Sequence, residues 1–444
     1  MKQYYSHYQA LSSLGVPIIV GQIGTIVLGF ADTLMIGRHS TAELAAAAFV
    51  NNMFILVLLF SLGFSYGLTP VVGSFFGRGD TGSIGRMVKN SLVANLLLAV
   101  ALMAVMGVLY LNLHRLGQPA ELLPLMRPYF LVNLVSIPFV ACFNTLKQLA
   151  DGITDTKTPM WLLLGGNLLN IGGNYVLIYG KCGLPEMGLF GAGLSTMVSR
   201  MVMAVVFVWV VFRSKNYEAY REGFVAGRTN QADLRRLCGL GFPLGLQMGM
   251  ETAAFSLSSI MVGWIGTTAL AAHQVMLTIS QVFYMVYYGM AAAVAIRVSY
   301  FAGQRDYEAL NRSAVAGFHL ILLIALAVSV PVMVLRGTMG SWFTDSKEVC
   351  FMVSQVIIPL VVYQFGDGLQ CTYANALRGI SHVKPLMYVA FLAYFVISLP
   401  LGYFLGIAME WGLLGIWSAF PFGLTTAGVL YYYYYRRQLA RMAE

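Results

Sequence analysis

Charge is scarce in this chain: Asp, Glu, Lys and Arg make up 10% of its 444 residues, against about 25% in soluble domains. A soluble globular domain is excluded, because too little charged surface exists to clothe one. Cysteine is sparse as well. The five cysteines (Cys142, Cys182, Cys238, Cys350 and Cys371) are odd in number, scattered and without CxxC spacing, which argues against a disulfide framework or a metal site. The N-terminal stretch MKQYYSHYQALSSLG lacks the apolar core and cleavage site of a signal peptide, so the first helix is expected to act as an uncleaved anchor. No P-loop, dinucleotide fingerprint or H-E-x-x-H occurs, which removes ATP-driven pumping and zinc proteolysis. The run from Gly63 through Ser65 to Gly67 has the G-x-S-x-G form of a nucleophile elbow. It lies in an apolar helical stretch rather than at a strand-to-helix turn, and neither an enzyme nor a bound cofactor is expected.

What the chain does have is hydrophobic sequence, 58% of its residues. Apolar runs of membrane-spanning length recur from end to end, the pattern of an all-α polytopic membrane protein. Segmentation predicts twelve transmembrane helices near 11–37, 45–72, 88–112, 126–149, 160–180, 187–212, 238–263, 268–297, 311–336, 351–376, 385–408 and 412–435. The charged connection between helices 6 and 7 divides them into two lobes, residues 1–212 and 238–444, joined by a cytoplasmic linker at 213–237. Of the 27 Lys and Arg residues, nineteen fall at the termini and in even-numbered loops, six fall in odd-numbered loops, and Arg200 and Arg297 lie within helices. Both termini are therefore expected on the cytoplasmic side of the inner (plasma) membrane. The net charge of +9 needs no nucleic-acid partner, since basic residues of this kind meet cytoplasm and anionic lipid.

The halves repeat one another. A shift of 226 residues lays Gly15 on Gly241, Pro17 on Pro243, Met35 on Met261, Gly37 on Gly263, Asp80 on Asp306 and Arg86 on Arg312. Six helices separate the copies, so both insert the same way up. A pseudo-twofold axis along the membrane normal is expected, with the substrate path between the lobes. The prolines are read as shaping helix entry or marking bends.

The chemistry should lie where the copies differ. Glu251 sits near the centre of helix 7, roughly 15 Å below its Gly241 end and close to the bilayer midplane. An acid exposed to lipid there would cost ~2.5 kcal/mol or more, so it is expected to face protein or water. Asp367 lies inside helix 10, with Tyr363, Gln364 and Gln370 on the same face, and Gln247 lies one turn before Glu251. Two such carboxylates on separate helices suit a cation or a proton. In the first half, Asp32 and Asn174 fall at one depth in the outer leaflet, and Asn170 lies one turn from Asn174, sketching a second polar pocket. Arg200 could hold a charge partner or snorkel. His273 and His319 read as packed or polar-facing rather than as proton relays.

These features together resemble one family. The GxP pairs opening helices 1 and 7, FADTLMIG, TALAAHQV, LLNIGGNYVLIYG and the LRG with its following Pro are similar to the multidrug and toxic compound extrusion (MATE) family, along nearly the whole chain. The pairing of Glu251 with Asp367 resembles the NorM-type branch. The resemblance implies a V-shaped, alternating-access antiporter that expels small organic cations against Na+ or H+, working as a monomer among membrane lipids. It implies a cation site in the second lobe at Glu251, Asp367 and Tyr363, open to Na+, and a polar site in the first at Asp32, Asn170 and Asn174. A lipid or oligosaccharide flippase of the same superfamily is the alternative. A major-facilitator transporter fits less well, because the loop FFGRGDTGSIGR lacks the DR pair and paired arginines usual there.

Overall fold

The computed structural model describes residues 4–444, and among these every regular element is helical. α1 (Tyr5–His39), α2 (Thr41–Ser65) and α3 (Leu68–Arg78) lead into α4 (Thr81–Leu111), α5 (Leu123–Gly152), α6 (Lys157–Ile178) and α7 (Gly188–Arg213). A short α8 (Glu218–Ala226) precedes α9 (Gln231–Ile265), α10 (Thr267–Gln304), α11 (Tyr307–Met339) and α12 (Lys347–Gly379). α13 (Lys384–Phe391) runs on through two π-helical stretches, Leu392–Ser398 and Phe404–Ala408, that flank α14 (Leu399–Tyr403). α15 (Gly412–Ala443) follows. Eleven helical spans are long and apolar enough to cross a bilayer. With α9, 35 residues long and carrying Glu251, they make the twelve expected. On α4 the large apolar Leu97, Val100, Val105 and Val108 are exposed while Ser91, Asn95, Ala99 and Met106 are buried. Apolar side chains left uncovered in such number belong against lipid rather than water.

The 226-residue repeat is visible in backbone detail. Gly79 (φ 75°) and Arg305 (φ 58°) end α3 and α10 in the left-handed conformation. Each is followed by an aspartate cap: Asp80 accepts from Ser83 N at 3.0 Å, and Asp306 accepts from Ala309 N at 3.0 Å. These bonds satisfy orphan amides at the starts of α4 and α11. Thr154 (φ 68°) and Ser381 (φ 59°) likewise turn the chain after α5 and α12.

The chain forms two compact units. One is Val20–Gly245; the other is Leu246–Glu444 together with the N-terminal segment through Ile19. Each sequence half thus supplies most of one unit, while its opening segment belongs to the other. The exchange points, after Ile19 and after Gly245, are 226 residues apart and two residues past Pro17 and Pro243. Glycine permits the exchanged packing. A Cβ on Gly63 would lie 2.7 Å from Leu244 O, and one on Gly241 would lie 2.7 Å from Phe64 O, so α2 and the start of α9 meet backbone to backbone. In the other unit a Cβ on Gly289 would lie 3.0 Å from Ile19 N, which brings α10 equally close to the start of α1. Small residues at such crossings are the usual device for packing helices in lipid.

This explains the G-x-S-x-G run and corrects the expectation of one unbroken helix there. α2 stops at Ser65, Tyr66 and Gly67 form a turn, and α3 begins at Leu68. Pro70 is the physical cause: it cannot donate to the carbonyl of Tyr66, and its ring would strike that carbonyl in a continuous helix. Ser65 spends its hydroxyl on Leu62 O at 2.6 Å. The two glycines serve packing.

The 213–237 connection is ordered within the Val20–Gly245 unit. Cβ atoms on Gly85 and Gly223 would collide with the backbone of Tyr220 and Gly82, so α8 rides directly on α4. Tyr217, fully buried, donates to Asp155 Oδ2 at 2.9 Å. Lys89 Nζ donates to Gly227 O at 2.9 Å, and Arg86 pairs with Asp233 at 3.2 Å.

Candidate functional site

In the unit formed mainly by Leu246–Glu444, α9 contributes Glu251 and α12 contributes Tyr363 and Asp367. Asp367 is buried, with 2% of its surface exposed, and its Oδ1 accepts a weak bond from Cys371 Sγ at 3.6 Å. Glu251 is close enough to feel the Asp367 charge, and the Tyr394 hydroxyl lies within its reach. The two acids separated by over a hundred residues therefore share one site. Phenol groups surround them: Tyr284 and Tyr287 of α10, Tyr363, Tyr394 and Tyr431 each lie within the field of one or both carboxylates. Neutral hydroxyls of this kind can donate to a bare carboxylate or turn a lone pair toward a cation.

The glutamines on α12 play different parts. Gln370 and Tyr394 bond reciprocally, Nε2 to the hydroxyl at 2.9 Å and the hydroxyl to Oε1 at 3.3 Å. Gln364, wholly buried, accepts at Oε1 from Tyr287 at 3.0 Å and Ser329 at 3.2 Å, and its Nε2 has no hydrogen-bond partner. An unpartnered buried donor beside an acid site is a place where water or cargo can bind. Gln247 is half-buried and makes no side-chain hydrogen bond among the described residues. His273 is packed as expected: Trp417 Nε1 donates to its Nδ1 at 3.0 Å, which leaves the proton on Nε2 to face Ser259 Oγ at 2.8 Å. His319 is polar-facing, its Nδ1 2.9 Å from the Tyr8 hydroxyl.

In the Val20–Gly245 unit, Asn174 is fully buried and donates Nδ2 to Asp32 Oδ1 at 2.5 Å. Asn170 does not join them directly. Its Nδ2 donates to Thr196 Oγ1 at 3.2 Å, and its main-chain carbonyl accepts from Ser195 Oγ at 2.9 Å. The Oδ1 atoms of both asparagines are buried without a partner. Arg200, midway along α7, donates to Ser136 Oγ at 2.7 Å and acts electrostatically on Asp32 and Tyr129. Tyr129 in turn donates to Asn51 Oδ1 at 3.0 Å.

Among the described residues no three His, Cys, Asp or Glu side chains gather as a metal cluster. A hard alkali cation does not need one, since carboxylate and hydroxyl oxygens are suitable ligands. Glu251, Asp367 and Tyr363 supply that donor set. Elsewhere on the unit, α12 and α15 border a groove of about 750 Å³ lined by Ile358, Val362, Trp411, Ser418, Phe422 and Thr425, among others. Val362 is 55% exposed whereas its neighbour Tyr363 is buried, so the groove lies on a different face of α12 from the acids. Tyr284, Tyr287, Tyr394, Ser329 and Tyr129 carry no distinguishing mark in the sequence. Their only signal was a polar atom in an apolar run, which many lipid-facing tyrosines share.

A duplicated helical membrane protein with Asp367 buried near a half-buried Glu251 in one unit, and Asp32 within the field of a half-buried Arg200 in the other, has the layout of a transporter. The MatE family model matches residues 17–176 and 243–404. A probable multidrug resistance protein NorM from Photorhabdus laumondii is 30% identical over 434 residues, covering 96% of this chain and 95% of the relative. Multidrug resistance protein MdtK from Edwardsiella ictaluri is 29% identical over 440 residues, covering 97% and 95%. Among solved structures, a MATE transporter in complex with MaL6 has a TM-score of 0.90 at 19% identity, covering 98% of this chain and 97% of that one. A MOP-superfamily transporter from Pyrococcus furiosus, described as having a binding pocket of reversed polarity, has a TM-score of 0.87 at 18% identity, covering 99% and 97%. This chain belongs to the MATE family of transporters.

Proposed function

We propose that the protein is a cation-coupled multidrug efflux antiporter, exporting small organic cations by alternating access while Na+ or H+ moves inward. The observation that carries this reading is the mutual proximity of Glu251 and Asp367 inside one helical unit, ringed by tyrosine hydroxyls. Two negative charges that act on each other inside a helical membrane unit, one of them buried, are poorly tolerated together unless a cation or a proton neutralises at least one. An organic cation and a coupling ion can both perform that neutralisation, and neither leaves enough uncompensated charge for the other. Competition of this kind is the basis of exchange. The names of the NorM and MdtK relatives support drug efflux as the direction.

The protein is read as a multi-pass inner-membrane monomer with both termini cytoplasmic and no resident cofactor. A flippase for phosphate-bearing lipids or oligosaccharides would need basic groups where the cargo sits, and this site is acidic. Fold alone does not decide between them, as the Pyrococcus furiosus likeness illustrates. The test is efflux of a fluorescent organic cation in inverted vesicles, with Na+ and H+ gradients imposed separately. Glu251→Gln and Asp367→Asn are each expected to abolish gradient-driven transport while membrane insertion is retained. Wild-type rates in both variants would reject the assignment.

A further inference from the structure

At the linker-bearing end of the Val20–Gly245 unit, Arg86 pairs with Asp233 at 3.2 Å and Arg221 donates to the carbonyls of Val211 and Ser214. Arg78 and Arg236 are placed differently. The guanidinium carbon of Arg78, at the end of α3, lies 5.9 Å from the centroid of the Phe75 ring. That of Arg236, in the second turn of α9, lies 5.7 Å from the same centroid and feels the Arg78 charge. Both residues are exposed, and among the described residues neither has a carboxylate within ion-pair distance. The acids nearby are occupied: Asp80 caps α4, and Asp233 is held by Arg86 and by Asn230 Nδ2 at 2.8 Å. Arg78 adds only a bond to Ser74 Oγ at 3.3 Å.

Packing does not require this pair. The 226-residue shift lays Phe75 on Phe301, Arg78 on Gln304 and Arg236 on Ala10. In that copy the Phe301 ring meets Arg297 at 4.5 Å and the edge of His7 at 5.9 Å, while Gln304 donates to the Tyr300 hydroxyl at 3.0 Å. The same helix ends come together there with one guanidinium at the ring instead of two. Depth points to what the second cation meets. Arg236 precedes Glu251 by fifteen positions, about 22 Å along α9, beyond the ~15 Å half-thickness of hydrocarbon and at the level of lipid phosphates.

We propose that Arg78 and Arg236, gathered at the Phe75 ring, form a site for the phosphate of one anionic phospholipid of the cytoplasmic leaflet. The inference rests on the topology reading above for which leaflet supplies the lipid, and on its own geometry for the site. Two guanidiniums can each donate to a different phosphate oxygen, and the anion relieves the repulsion between them. The ring restrains both side chains beforehand, so less rotamer freedom is lost on binding. An occupied site ties α3 to the start of α9.

The test is the melting temperature of the full-length protein in neutral detergent micelles, titrated separately with phosphatidylglycerol, phosphatidylcholine and inorganic phosphate. Phosphatidylglycerol is expected to stabilise the wild type, and native mass spectrometry to find one more retained anionic lipid than in the double variant. Arg78→Gln and Arg236→Gln are each expected to weaken the titration midpoint about fivefold. Arg78→Gln with Arg236→Ala, which installs the residues of the other copy, is expected to fold and to respond to phosphatidylglycerol as to phosphatidylcholine. Arg235→Gln, an exposed arginine next in sequence with no contact to the ring, is expected to keep the wild-type midpoint. Equal losses in Arg235→Gln and Arg236→Gln would show diffuse attraction to charge and overturn the proposal. So would a wild-type response in the double variant, or stabilisation by inorganic phosphate equal to that by the lipid. Labelling of Gln231→Cys, over a Cys182→Ser background, by an impermeant maleimide in inverted but not right-side-out vesicles is expected for the leaflet. The reverse pattern would overturn the leaflet and the topology reading, while the micelle titration still decides the site.

Discussion

Replacing Tyr394 with Phe isolates the contribution of one hydroxyl to ion exchange. The ring is fully buried and Phe keeps it, so packing is conserved and only the oxygen is lost. That oxygen has one proton to give and two acceptors in reach, Glu251 and Gln370 Oε1, while it accepts from Gln370 Nε2. The accepted bond, at 2.9 Å, is shorter than the 3.3 Å donor contact to Oε1, which favours the arrangement in which the proton points at the Glu251 carboxylate. A hydrogen bond to a charged acceptor contributes about 1.5–3 kcal/mol, a factor of roughly 10 to 100 in an equilibrium constant. The bond stabilises the ion-free carboxylate. Its loss should therefore tighten binding of the driving ion by about that factor and slow release on the cytoplasmic side. The assay is the Na+ or H+ concentration giving half-maximal efflux of a fluorescent cation in inverted vesicles, with the half-exposed Tyr403→Phe as control. An unchanged midpoint would refute the Tyr394–Glu251 contact. A shift to weaker ion binding would show the hydroxyl to be a ligand of the ion instead of a donor to the empty site.

Other perturbations test the scaffold. Gly63→Val and Gly289→Val place a Cβ against main-chain atoms of Leu244 and Ile19 that cannot move aside, and each should destabilise the protein by about 1–3 kcal/mol, read as a lower melting temperature in detergent. Gly107→Ala, where a Cβ would meet nothing within 4 Å, should leave the melting temperature near wild type. Trp417→Phe strands the Nδ1 acceptor of His273 inside the core, with an expected cost of about 1–3 kcal/mol in the same measurement. Asp80→Ala removes the cap of α4 and should cost about 1 kcal/mol. Bonding from the Ser83 hydroxyl, helped by its amide, holds the Asp80 carboxyl below its ordinary value. The cap is therefore at full strength above pH ~4 and is lost as pH falls through the lowered value, so wild type and Asp80→Ala should converge in stability as acid protonates Asp80.

The sequence alone determined the helical membrane class, the duplication at a 226-residue shift and the presence of costly acids at Glu251 and Asp367. These follow from local quantities: the length of an apolar run, the identity of residues at a fixed offset, and the cost of a charge in hydrocarbon. The pairing of Asp32 with Asn174 was legible too, because depth along two antiparallel helices can be counted from their ends. Which faces meet is a different matter. Asn170 sits one turn from Asn174 yet turns to Thr196, since α7 packs there and offers a hydroxyl. Gln247 lies one turn from Glu251 yet bonds to nothing described, while Tyr394, over a hundred residues away, reaches the carboxylate from a π-helical stretch. The exchange of chain between units after Ile19 and Gly245 also escaped the sequence reading. A glycine in an apolar helix looks the same whether it faces lipid, as at Gly107, or another backbone, as at Gly63. Only long-range packing decides which neighbour fills the space, and that packing is a property of the whole unit rather than of any stretch within it.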